Sequence, residues 1–372
     1  MPLWCVSPAA RRTRSDVKGD DSARALLSRG NGPAEDWTCV EVEPVMLSTA
    51  WSREMGLRVP IVNAPMGGVA GGRLAAAVTA AGGLGMIGMG SAGSAARLSA
   101  ELEQLGPNPG PFGIGMISWG VAREPALFDT ALAARPTLVS VSFTTDLSWV
   151  EPVHQAGILA ATQVYDREQA RRAEAAGVDV IVARGAEGGG HGEPTLATLP
   201  LLEIVCDAVD VPVLAAGGIA TGHALAAVLG AGAAGAWLGT RLAVCPEALT
   251  TEHARAALLR ADATDTITTR VFDIGQGLPW PARYPARVLR NDFTDRWDGA
   301  EDSLATDERA RDELAAAVAA DDPRLAPVDA GQGIGLVTSS QPVAEVFDDI
   351  CTAAARYLTA RSTIAEPDVT HG

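Results

Sequence analysis

The chain has 372 residues, 47% of them hydrophobic, enough to bury a core in one large α/β domain or two ordinary ones. Its formal net charge of -16, from 29 basic and 45 acidic residues, argues against a nucleic-acid footprint. The sole lysine, Lys18, lies in the polar N-terminal stretch, which excludes Schiff-base chemistry and a Walker-type phosphate lysine from any core site.

Residues 1–45 are rich in Arg, Asp, Ser and Gly without helical or strand periodicity, and are expected to be a disordered tail. From Met46, MLSTAWSREMGLRVPIVNAPM reads as a short amphipathic helix leading into a buried strand. A repeating unit follows: a short apolar β-rich run, a turn bearing Gly, Ser or Thr, and an Ala/Leu/Glu/Arg stretch of helical spacing. Eight runs are expected, beginning near Ile61, Leu84, Phe112, Leu138, Ile158, Asp179, Val211 and Ala236. They are nearly continuously hydrophobic, as strands buried on both faces must be.

Eight strand-helix units before residue 245 point to an α/β (β/α)8 TIM barrel over 46–245, with an open doubly wound sheet as the alternative. The glycine-rich GGVAGG and GGLGMIGMG follow strands, but neither is a dinucleotide fingerprint. Beyond it, 246–330 reads as a helical and irregular appendage, 331–361 as a C-terminal segment returning to the barrel, and 362–372 as a tail. Longer helices are expected near 247–262, 307–320 and 342–360, with GQGLPWPARYPARVLRNDF as an irregular connection. Its Trp280, Tyr284 and Phe293 either cap a site or form the appendage's own small core.

The five cysteines are scattered, without C-x-x-C or a histidine at metal-ligand spacing, so no metal is expected and a reducing cytoplasmic home is the simple reading. No apolar run reaches membrane-span length.

In such a barrel the chemistry sits where strands end. The first end, Asn63-Ala64-Pro65-Met66-Gly67-Gly68, combines a Pro-fixed turn with glycines that let backbone approach a flat ligand. The last two ends, Ala216-Gly217-Gly218 and Leu238-Gly239-Thr240, each precede a helix and together read as a phosphate cradle of open N–H groups and one hydroxyl. The sixth run ends in Arg184-Gly185-Ala186-Glu187-Gly188-Gly189-Gly190-His191. Three glycines before a lone histidine suit backbone sliding against a ring, with His191 facing the ligand as a group able to titrate near neutral pH.

These residues resemble the FMN-dependent nitronate monooxygenases, formerly called 2-nitropropane dioxygenases, from about Leu57 to Tyr357. VNAPMGGVAGGRLAAAVTAAGGLGMIGMG, AEGGGHGEP and PVLAAGGIATGHALAAVLGAGAAGAWLGTR look like the family's signature regions, and VDAGQGIGLVTSSQPVAEV like its C-terminal one. The resemblance implies a barrel holding FMN non-covalently, with its phosphate on Gly217, Gly218, Gly239 and Thr240. Ala64, Met66 and Gly67 would lie by the isoalloxazine, approached by Gly189 and Gly190, and Gly115, Gln163, Arg184, Trp237 and Leu238 complete the implied cofactor set. His191 matches the family's active-site histidine, which deprotonates a nitroalkane or positions the nitronate anion before electrons pass to flavin and oxygen.

The chain departs from the family pattern with Gly115 in place of a common Asn, and with Arg184 and Trp237 in place of common glutamines. Gly115 removes a contact to the flavin pyrimidine, which a guanidinium at Arg184 near N1 and C2=O would replace. The expected partners are a small anionic substrate and O2, without nucleic acid or membrane, and with a homodimer left open. The alternative is an FMN-dependent, NAD(P)H-using reductase resembling the enoyl-acyl-carrier-protein reductases.

Overall fold

The structure is a computed structural model that describes residues 47–107 and 109–362, the side chains of 361 and 362 excepted. The tails expected at 1–45 and 362–372 lie, but for Ser362, outside the described residues. The described chain contains eleven strands: β1 Ile61–Asn63, β2 Gly85–Met89, β3 Phe112–Ile117, β4 Leu138–Ser142, β5 Leu159–Val164, β6 Val180–Arg184, β7 Gly190–His191, β8 Val213–Ala216, β9 Gly235–Leu238, β10 Thr266–Thr269 and β11 Ala286–Leu289. Eight of them form one parallel sheet in the order β1-β9-β8-β6-β5-β4-β3-β2, and these are the eight runs expected from the apolar pattern. A parallel bridge from Val62 to Leu84 brings β1 back to β2, so the sheet closes as a (β/α)8 TIM barrel.

Helices alternate with the strands, and polar side chains fix the start of three of them, at Ser94, Asp166 and Thr221. Asp166 accepts from the Gln169 N–H at 2.7 Å before helix Arg167–Ala175, and Thr221 accepts from the Ala224 N–H at 3.3 Å before helix Gly222–Gly230. Outward-facing strand residues such as Ile61, Ile87, Val139, Ile181 and Leu238 meet these helices in the larger core. Inward-facing Val62, Met86, Leu138, Val182, Leu214 and Trp237 fill the barrel itself. Trp51 and Leu57 join that inner cluster from the amino end, so the short helix Ala50–Glu54 plugs the bottom of the barrel. Thr49 caps this plug and donates its hydroxyl to the Ala234 carbonyl at 2.6 Å, tying it to the strand it covers.

The β1–β2 seam is the weakest of the barrel, with a single bridge, and the Asn63 side chain completes it. Its Oδ1 accepts from the Met86 N–H at 2.6 Å and its Nδ2 donates to the Met86 carbonyl at 2.8 Å, reproducing a ladder pair with a side chain in the buried interior.

The appendage departs from expectation in one respect. GQGLPWPARYPARVLRNDF is not wholly irregular: β11 lies within it, pairing with β10 on one side and with β7 on the other. Both pairings are antiparallel and link segments far apart in sequence, which no local periodicity announces. The longer helices lie where expected, as Glu252–Arg260, Glu308–Ala319 and Val343–Ser362; the last packs on helix Gly222–Gly230, where Gly222 leaves room for the Ile350 carbonyl.

Asn63→Ala removes both bonds to Met86 at this buried seam. A loss of about 1–3 kcal/mol is expected, read as a lower urea midpoint at unchanged slope.

Candidate active site

The carboxyl ends of the strands open into a cavity of about 710 Å³ that carries all but one of the implied site residues in its wall. Its floor on the first side is the turn Ala64–Gly67. A Cβ at Gly115 would collide with the Pro65 ring, and one at Gly88 with the Pro65 and Met66 backbone, so β2 and β3 carry glycine where the turn lies down on them. Gly115, read from the sequence as a lost contact, is thus required by packing. Gly67 and Gly90 touch backbone to backbone in the same way, which leaves a low surface free of projecting side chains.

On the opposite side β8 and β9 end in Gly217-Gly218 and Gly239-Thr240. Gly217 and Gly218 have φ of 115° and 68°, a left-handed pair that turns their amides away from the barrel ladder. Among the described residues the N–H groups of Gly217, Gly218, Gly239 and Thr240 donate to no group of the chain. The Thr240 hydroxyl accepts from the Gly331 N–H at 2.9 Å, which leaves its own proton free to donate. Four open amides and a hydroxyl in one concavity suit a phosphate dianion, so the residues present fit the FMN phosphate. Trp237, on the cavity floor, adds a buried indole N–H with no partner among the described residues.

The glycine loop between β6 and β7 is shaped by Arg184. Its Nη2 donates to the carbonyls of Gly188, Gly189 and Gly190 at 2.8, 3.2 and 2.9 Å, and the residue is 6% exposed. This nitrogen is committed to the protein, not turned to a ligand. Glu187 receives the Thr198 N–H and hydroxyl at 2.8 and 2.7 Å, fixing the loop to the start of helix Thr198–Cys206. The C-terminal segment then closes over it: a Cβ at Gly331 would meet the backbone of Glu187 and Gly189, and one at Gly333 the Gly218 carbonyl.

His191 follows this loop in β7, opposite Ala286 of β11. Its Nε2 lies 2.9 and 3.1 Å from the two carboxylate oxygens of Asp273, which sits almost wholly buried in helix Val271–Gln276. A carboxylate there accepts from Nε2–H and fixes that tautomer, leaving the lone pair of a neutral ring on Nδ1. Nδ1 makes no hydrogen bond among the described residues and is not sealed from solvent, so it opens on the cavity that His191 lines. Gly277, at φ 65°, ends the Asp273 helix and reverses the chain into Leu278-Pro279-Trp280. The Trp280 indole stacks on the imidazole with ring centroids 3.6 Å apart and planes at 8°.

Asp329 also faces the cavity. Its carboxyl surface is open to that space, yet it lies deep enough that burial raises its pKa, with His191 opposing and Asp273 reinforcing the shift. Cys245 and Cys351 are pushed up to about 12 by burial, so neither thiol supplies a nucleophile.

The cavity wall therefore brings together Ala64, Met66, Gly67, Gly115, Gln163, Arg184, Gly189, Gly190, His191, Gly217, Gly218, Trp237, Gly239 and Thr240. Leu238 is not among them: its side chain points into the outer core and only its carbonyl serves the site, accepting from the Ala64 N–H at 2.7 Å. Of the three aromatic residues singled out in the irregular connection, Trp280 reaches the cavity wall and Tyr284 packs beside it, while Phe293 stacks on Phe272 in the appendage core. Sequence reasoning missed Asp273, Asp329 and Ser91. An acid in VFDIGQG carries no local signal that it will meet a histidine 82 positions away.

A family profile for nitronate monooxygenase matches residues 116–353, and one for the IMP dehydrogenase / GMP reductase domain matches residues 34–193. Among curated relatives, the Rhodococcus jostii (3aS,4S,5R,7aS)-5-hydroxy-7a-methyl-1-oxo-octahydro-1H-indene-4-carboxyl-CoA dehydrogenase is 32% identical over 66% of this chain and 67% of its own. The Neurospora crassa nitronate monooxygenase is 29% identical over 90% of this chain and 94% of its own. FabK from Thermotoga maritima superposes with a TM-score of 0.75 at 27% identity, over 86% of this chain and 99% of that one. Nitroalkane oxidase from Streptomyces ansochromogenes does so at 0.71 and 29%, over 83% and 99%. Among the described residues no helix is long and apolar enough to cross a membrane.

The raised pKa of Asp329 has a sign that can be tested. Between the ordinary carboxylate value of about 4 and its raised value the native state holds the proton more tightly than the unfolded chain, so stability falls as pH rises through that window. Asp329→Asn lacks this loss. Its melting temperature relative to the parent protein is expected to increase as pH rises above about 4 and to level off beyond the raised value, the opening of Asp329 to the cavity lessening the effect; a constant difference would refute the burial argument.

Proposed function

The chain belongs to the nitronate monooxygenase family, and we propose that it binds FMN and oxidises small alkyl nitronates with molecular oxygen, using His191 as the base or anion-positioning residue. The observation that carries this reading is the His191–Asp273 pair, a tautomer-fixed imidazole opening Nδ1 onto a cavity whose far end is a cradle of unpartnered amides. The family is flavin-dependent, and the cradle and the glycine floor suit FMN in particular: a phosphate on Gly217, Gly218, Gly239 and Thr240, a flat ring over Ala64, Met66 and Gly67. When bound, FMN supplies the electron acceptor and the centre that reacts with oxygen.

The chain's own residues do the rest. A nitroalkane carbon acid delocalises its charge onto the nitro group, so removal of its proton needs only a base within hydrogen-bond reach. His191 Nδ1 takes that proton, and Asp273 stabilises the imidazolium that results. The protonated ring then faces the nitronate as a cation, with Arg184 behind it in the same wall. Trp280 covers the ring and limits water at the proton-transfer edge.

The deciding experiment is oxygen uptake by the purified flavoprotein with propionate 3-nitronate, with and without NADH. Uptake without NADH is expected. Its absence, with bleaching of the flavin by NADH, would favour the pyridine-nucleotide-dependent reductase instead. His191→Ala is expected to retain FMN and to lose about 100-fold or more in turnover of a neutral nitroalkane, with a smaller loss on a preformed nitronate; equal losses would assign His191 to anion positioning alone. Gly218→Asp forces a Cβ into left-handed backbone and a carboxylate towards the cradle, so the protein is expected to purify colourless.

A further inference from the structure

The wall above His191 is built more firmly than a covering loop requires. Trp280 lies between Pro279 and Pro281, whose rings restrict the backbone on both sides of it. Its indole N–H donates to the Ser91 hydroxyl at 3.2 Å, joining the appendage to the loop after β2 across 189 positions. The edges of Trp119 and Phe143 meet it at 5.6 and 4.9 Å with planes near perpendicular. Only 6% of the residue is exposed. The indole is thus fixed by its backbone, its nitrogen, its flanks and its stacking on the imidazole, and it occupies space directly over the ring assigned to proton transfer.

We propose that Trp280, tethered by Ser91, is the residue that sets substrate size at this site. The chemistry at the ring is that of the nitronate reading, on which this proposal rests, whereas the size limit follows from geometry. One face of His191 is covered at contact distance and its Nε2 edge is closed by Asp273, so a substrate approaches the ring past the rim of the indole, from the uncovered side that carries Nδ1. A short chain fits that approach. An aryl or branched group on the reacting carbon requires the volume that the indole fills, and the Ser91 bond and the flanking rings of Trp119 and Phe143 oppose its displacement. Trp280 acts by excluding substrates and by holding the ring, not by moving protons.

The test compares Trp280→Ala, Trp280→Phe and Ser91→Ala with the parent holoenzyme, using kcat/KM for ethyl nitronate and for phenylmethyl nitronate. Trp280→Ala is expected to move the aryl-to-ethyl ratio about 10-fold or more towards aryl. Ser91→Ala, which keeps the indole but frees it, moves the ratio in the same direction by less, and Trp280→Phe lies between the parent and Trp280→Ala. A second readout uses acetate and benzoate, planar anions of the two sizes, titrated against the visible flavin spectrum without turnover. Benzoate is expected to perturb the spectrum of Trp280→Ala at concentrations that leave the parent protein unchanged. If no nitronate is consumed but benzoate binding appears on removal of the indole, the nitronate reading fails and the size limit stands. If nitronates are consumed and both the ratio and the benzoate response are unmoved in Trp280→Ala, the size limit is overturned.

Discussion

A buried guanidinium organises this site. Arg184 ends β6 inside the wall of the cavity and gathers the carbonyls of Gly188, Gly189 and Gly190 onto one nitrogen. Three carbonyls brought that close cost backbone freedom and mutual repulsion, which only a permanent cation offsets in a buried place. The curvature so imposed directs the chain back along β7, where it pairs with β11 and delivers His191 to Asp273 and Trp280. A neutral residue at 184 would leave the buried Gly188 carbonyl and the more open carbonyls of Gly189 and Gly190 without their shared donor.

A second constraint is the absence of side chains where a ligand must lie flat. Gly67 against Gly90, and Gly88 and Gly115 beneath Pro65, let the first turn settle onto the barrel rim. In the proposed FMN site the charge that would hold the phosphate comes from backbone amides rather than from lysine, consistent with a chain whose only lysine precedes the core. An acidic protein can thereby carry an anion site without a basic surface.

The barrel alone does not complete the candidate site. Asp273 and Trp280 come from the appendage and Asp329 from the segment that returns along β11. The appendage has its own cluster around Phe272, Phe293 and Leu314, and is fixed to the barrel by the β11–β7 pairing and by Trp280 against Ser91, Trp119 and Phe143. Barrel residues therefore supply the platform and cradle, while the appendage supplies the orientation of the imidazole and the ceiling above it.

The barrel was legible in the sequence, because strands buried on both faces must be continuously apolar and eight such runs alternate with stretches of helical spacing. The sequence also determined most of the binding wall, since glycine at a strand end has few uses other than close approach or left-handed backbone, and the sixth, seventh and eighth barrel strands each end that way. Tertiary structure decided what the side chains at those ends do. Arg184 faces carbonyls, Leu238 faces the outer core, and Gly115 is a packing necessity under Pro65. It also decided the partners of His191, because β7, β10 and β11 meet by antiparallel pairings between distant segments. Local patterns of residues record which face of an element is buried but not which remote element comes to lie against it.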